Sequence, residues 1–100
     1  MLYRAEGWSE KRMIVSQIFQ ATHPKQAVRR IRDALETKGA NLQFLTVYIL
    51  NEEGQIWMYG MEKKNSKYRA MMLEKGTNYL PRNLVQMVFA GNRNIREVVG

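Results

Sequence analysis

Leu42-Gln43-Phe44-Leu45-Thr46-Val47-Tyr48-Ile49-Leu50, then Asn51-Glu52-Glu53-Gly54, then Gln55-Ile56-Trp57-Met58-Tyr59-Gly60-Met61 is the stretch whose reading decides the fold. Two runs rich in β-branched and aromatic residues flank four polar ones, the pattern of two strands and their turn. Asn first and Gly last suit a type I turn closed by a glycine bulge, a frequent connection of antiparallel hairpins. That turn pairs Asn51 with Gln55. It sets Leu45, Val47, Ile49, Trp57, Tyr59 and Met61 on one face, with Phe44, Thr46, Tyr48, Leu50, Ile56 and Met58 on the other. A four-residue loop would instead gather Phe44, Tyr48, Trp57 and Tyr59 together, because a slip of one residue moves a strand's side chains to the opposite face.

Both faces of this hairpin are apolar, so each needs cover from helices, from the chain ends or from a partner. On the amino-terminal side, Leu2 to Trp8 and Arg12 to Ala21 read as a second hairpin around Ser9-Glu10-Lys11. Thr22-His23-Pro24 then starts a helix, since proline is tolerated in a first turn where its missing N–H would be unpaired anyway. Ala27, Val28, Ile31, Ala34 and Leu35 follow at helical spacing, and Gly39 can adopt the left-handed closing conformation.

Beyond the central hairpin, Lys67 to Lys75 reads as a short helix capped by Ser66 and stopped by Gly76, with a strand as the competing assignment. Pro81 opens a last helix carrying the stripe Leu84, Val85, Val88 and Phe89, and Ile95 to Val99 adds an edge strand or frays. The expectation is one α+β domain over residues 1–100. Its order is β-β-α-β-β-α-α, a mostly antiparallel four-stranded sheet with helices packed mainly on one face.

Sixteen Lys and Arg against nine Asp and Glu give a formal charge of +7. Lys25 to Lys38 holds five basic and two acidic residues, and Lys63 to Arg82 holds six and one, so the remainder of the chain is slightly acidic. Positive potential is therefore concentrated in two segments, which can act together if folding brings them to one side. The chain has no cysteine, which removes disulfides, thiolate catalysis and sulfur-ligated metals. Charges interrupt the amino-terminal residues where a signal peptide would be apolar, and the run Phe44 to Leu50 is far shorter than the roughly 20 residues that span a bilayer. A cytoplasmic protein without membrane attachment is expected.

His23 is the only histidine, and its place beside Pro24 suits a helix cap better than a triad, which also needs a hydroxyl and an orienting carboxylate. Asp33 and Glu36 share a helix face but lie among Arg29, Arg30 and Arg32, as surface ion pairs do. Glu62-Lys63-Lys64 has the acid-x-Lys spacing of metal-dependent nucleases without the second acid that would hold a metal against phosphate. No catalytic residue, metal ligand or cofactor is therefore expected, and the protein is read as non-enzymatic.

Lys25, Arg29 and Arg32 recur on one helix face, while Lys63, Lys64, Lys67 and Arg69 form a second cluster. These seven are candidates for phosphate contact with DNA or RNA, and Trp57 and Tyr59 are candidates for stacking on unpaired bases. The function expected is that of a small basic accessory or regulatory protein that binds nucleic acid. The alternative is a protein-protein interaction or self-assembly module that uses the apolar hairpin face of residues 44–61, as a homo-oligomer or with an acidic partner.

Overall fold

The structure is a computed structural model that describes residues 1–99. Eight elements succeed one another: β1 (Leu2–Ser9), β2 (Arg12–Gln20), α1 (Pro24–Lys38), β3 (Phe44–Asn51), β4 (Gln55–Lys64), β5 (Lys67–Tyr79), α2 (Arg82–Phe89) and α3 (Ile95–Val99). The strands form one sheet in the order β2-β1-β3-β4-β5, and every neighbouring pair is antiparallel.

The central hairpin takes the register that its turn chemistry dictates, with Leu50 opposite Ile56 and Leu45 opposite Met61. The Asn51 side-chain oxygen accepts from the backbone N–H groups of Glu53 at 3.1 Å and Gln55 at 2.9 Å, which tightens the turn. Gly54 stands at φ 90°, and its carbonyl accepts from Leu80 N–H at 2.8 Å. The turn thus also seats the chain entering α2. A Cβ at Gly54 would lie 2.6 Å from the Leu80 carbonyl oxygen, so glycine is required by contact as well as by conformation.

α1 begins and ends as its sequence directs. His23 caps it, Nδ1 accepting from Gln26 N–H at 3.2 Å, Pro24 occupies the first turn, and Gly39 closes it at φ 70°. Its buried stripe Ala27, Val28, Ile31 and Leu35 packs on the sheet face formed by Tyr3, Ala5, Leu45, Val47, Ile49, Trp57, Tyr59 and Met61. The opposite face carries a second, smaller core in which Leu50 and Ile56 meet Leu80, Val85, Val88 and Ile95. Helices therefore cover both faces rather than mainly one. The reason lies in the hairpin: with both sides apolar, the carboxy-terminal helices fold back to dry the side that α1 leaves open.

The sheet has five strands, not four, because residues 67–75 extend as part of β5 instead of coiling. Asn65, at φ 60°, turns the chain through a tight link that leaves Lys64 opposite Lys67, so β5 starts already paired to β4. Along it Tyr68 and Ala70 pack against the first core while Arg69 and Met71 stand on the other side. Helix propensity in Tyr-Arg-Ala-Met-Met-Leu loses to a strand edge that β4 would otherwise leave unpaired. Gly76 is accordingly not a helix stop. It sits inside β5 at φ 74°, where the β4–β5 register shifts, and passes directly over Trp57. Ile95–Val99 forms a short helix rather than an edge strand.

Under that helix lies a buried polar cluster. Arg4 and Glu6 project from β1 to the side of the second core, and Glu6 is wholly buried. One Glu6 carboxylate oxygen accepts from Arg4 Nε at 2.7 Å; the other accepts from Trp8 Nε1 at 3.1 Å and from the backbone N–H of Ile95 at 2.9 Å. Arg4 also donates to the Val88 carbonyl at 2.8 Å, at the end of α2. Glu6 and Arg4 thereby tie the start of α3 and the end of α2 to the first strand. Among the described residues no buried side-chain nitrogen or oxygen is left without a partner.

Candidate functional site

α1 lies across the sheet with its cations divided between its two flanks. Arg30 and Lys38 turn toward β2: the Arg30 guanidinium carbon lies 4.5 Å from the centre of the Phe19 ring, and Lys38 Nζ donates to the Ile14 carbonyl at 2.7 Å. Lys25, Arg29 and Arg32, spaced by four and three residues, turn the other way, toward β5. There they line a groove of about 490 Å³ whose far wall includes Arg69 and Met72. Its floor is Val28, Tyr59, Tyr68 and Ala70. Arg69 alternates with Tyr68 and Ala70, so it borders the groove only from the edge of β5 while its side chain leaves on the other face of the sheet, and the cations that flank the groove are the three on α1.

The rest of the second basic cluster stands elsewhere. Lys64 and Lys67 are exposed at the tip of the β4–β5 hairpin, next along the strands from the groove. Lys63 is committed to the fold, since its ammonium donates to the Ala40 carbonyl at 2.7 Å and sits 5.7 Å from the centre of the Tyr68 ring. Its aliphatic stem and charge close the junction between α1 and β3.

Trp57 is not a stacking platform. It is 9 % exposed, with its ring against Tyr3 at a centroid separation of 6.2 Å and Gly76 across its indole. Tyr59 lies at the bottom of the groove, 7 % exposed. Burial raises its phenol pKa above the ordinary value, with a smaller contribution from Tyr3, so it presents a neutral ring edge and no charge.

Two groove residues escaped the sequence reading as ligand contacts. Tyr68 was expected inside a helix; in β5 its hydroxyl donates toward the Leu42 and Ala40 carbonyls at 2.8 Å and 3.1 Å, which fixes the ring as groove floor. Desolvation raises its pKa as well, outweighing the Leu42 hydrogen bond that lowers it. Met72 stands half exposed on the wall. The signal for both was the alternation through Tyr68, Ala70 and Met72, which helical spacing in the same residues obscured.

The field of the groove is little cancelled. Among the described residues the ion pairs are Arg4–Glu6 and Arg32–Asp33, the latter at 3.7 Å and largely solvated. Lys25, Arg29 and Arg69 have no ionic partner among them. Glu36, one turn beyond Arg32, is occupied by the backbone N–H of Tyr68 at 2.8 Å, where it blocks part of the open edge of β5. Carboxylates and His23 do not gather: no group of three or more metal-ligating side chains forms among the described residues. Among the described residues no helix is long and apolar enough to cross a membrane.

Fold and site together define an α+β domain with helices on both faces of an antiparallel sheet and a cationic, apolar-floored groove beside its first helix. Searches of family models, curated proteins and solved structures returned no match to this chain.

Proposed function

We propose that the groove between α1 and β5 binds nucleic acid through its phosphates, and that the protein acts by this binding as an accessory or regulatory factor rather than by catalysis. The observation that carries the reading is the alignment of Lys25, Arg29 and Arg32 along one flank of a single concave surface, with Arg69 at the strand edge that borders it. Along a helix, 1.5 Å per residue places Lys25 and Arg32 about 10 Å apart, a distance over which a nucleic-acid strand presents roughly three phosphates. Lys64 and Lys67 at the neighbouring hairpin tip would extend the same track.

Each neutralised phosphate releases counterions, so affinity should fall steeply with salt. Fluorescence anisotropy with a labelled random-sequence oligonucleotide measures the slope of log Kd against log salt. Changing Lys25, Arg29, Arg32 and Arg69 together to Ala should reduce that slope by about 3 and abolish binding near physiological salt. Changing Lys11 and Arg12, at the opposite edge of the sheet, should leave it almost unaltered. Binding that is indifferent to salt, or a quadruple variant with the wild-type slope, overturns the reading.

A second reading, self-assembly, rests on a different surface. Phe44, Met71 and Leu73 are 66 %, 61 % and 51 % exposed on the half of the second face that α2 and α3 leave uncovered. Association would use this patch, to which the 44–61 hairpin contributes Phe44 and not Trp57 and β5 contributes the rest. Sedimentation at increasing concentration should then show a salt-resistant dimer that Phe44→Ser disperses; a monomer throughout rejects it.

A further inference from the structure

The groove joins two chemistries that a phosphate backbone alone does not need. Its α1 rim is cationic, while Val28, Tyr59, Tyr68 and Ala70 form its floor, with the half-exposed Met72 beside them. A phosphodiester gains nothing from resting on apolar surface and loses hydration there. A nucleobase gains, because it is flat, apolar on its faces and covalently joined to the charges that the rim attracts.

The shape points the same way. The cations line the α1 flank of the trough and the apolar Ala70 and Met72 line the β5 flank, whereas the phosphates of a duplex lie on a convex cylinder with their bases turned inward. A duplex could touch the cationic flank and would leave the apolar one bare. A single strand can lie along α1 with a base turned across toward β5.

Resting on the phosphate-binding reading above, we infer that the groove is selective for single-stranded nucleic acid. One unpaired base is seated against Ala70 and the half-exposed Met72, while Lys25, Arg29 and Arg32 hold the flanking phosphates. The guanidinium planes can also cover the base from above, as arginine does on unstacked bases. The phenol of Tyr68 keeps its ring in place because its hydroxyl is bound to the Leu42 carbonyl.

The test compares four probes of equal charge in anisotropy at low salt: labelled oligothymidylate, an abasic strand with the same phosphates, a duplex, and polyglutamate. Oligothymidylate should bind about tenfold tighter than the abasic strand and the duplex. In the Met72→Ser variant, which alters an exposed side chain and no charge, that preference should shrink at least threefold. Methyl NMR supplies a second readout: the Met72 methyl should shift on adding oligothymidylate and stay in place with the abasic strand, while exposed Met13 on β2 moves with neither. If oligothymidylate, abasic strand and duplex bind alike with a salt slope that the quadruple variant loses, the base seat is wrong and phosphate binding stands. If polyglutamate binds as tightly as oligothymidylate, or no nucleic acid binds at all, both are wrong.

Discussion

Glu6→Ala should destabilise the fold by about 3–5 kcal/mol and release the carboxy-terminal helices before the rest of the domain unfolds. The carboxylate accepts from Arg4 and Trp8 on β1 and from the backbone N–H of Ile95 at the start of α3, all in the buried layer beneath that helix. Its removal leaves a guanidinium at 6 % exposure without its counter-ion and two N–H donors without acceptors. Each is a group whose desolvation is no longer offset. Arg4→Met should cost less, because Glu6 keeps two of its three donors and the Val88 carbonyl still accepts from Gly91 N–H at 3.0 Å. Thermal unfolding gives the order of the two variants. Amide exchange at Ile95, whose N–H is held by Glu6, reports the local release. Should Glu6→Ala lose under about 1 kcal/mol, or should Ile95 exchange no faster than before, the buried pair does not fasten α3 to β1.

Gly76→Ala should be nearly as damaging, for a steric reason. A Cβ at this position would lie 2.4 Å from two atoms of the Trp57 indole, and the backbone stands at φ 74°. The conformational cost alone is about 1–2 kcal/mol. Displacing a packed tryptophan adds about 1–3 kcal/mol more, since Trp57 is wedged against Tyr3 and cannot retreat without opening the first core. For a domain of this size the sum corresponds to a fall in Tm of more than about 10 °C. Gly39→Ala is the matched control. It has nearly the same backbone angle, φ 70°, with nothing within 4 Å of the added carbon, so it should show the conformational part only. Equal losses in the two variants would mean that β5 can lift from Trp57 without penalty.

What was legible beforehand was whatever local chemistry dictates. The cap at His23, the closure at Gly39 and the register set by Asn51 and Gly54 involve residues within four positions of one another, and each formed as its sequence requires. The candidate site was legible in part. Lys25, Arg29 and Arg32 share a face by helical geometry alone, and they do line one flank of a groove. Which flank, and that Arg69 leaves on the other face of the sheet while Lys63 is spent on the Ala40 carbonyl, depended on β5 being a strand. Nothing within residues 67–75 distinguishes strand from helix, because their alternation and their helical spacing place apolar residues equally well.

By itself, then, the sequence determined the α+β class, the central hairpin with its two apolar faces, the first helix, and a positive charge gathered in two segments. The tertiary structure decided the fifth strand, the burial of Trp57 and the placing of Glu6 beneath a helix that begins 89 residues later in the chain. The physical reason is one of range. Turns and caps are satisfied by neighbours, whereas an unpaired strand edge or an uncovered apolar face is satisfied by whichever distant segment can reach it, and that choice is made by the whole chain at once.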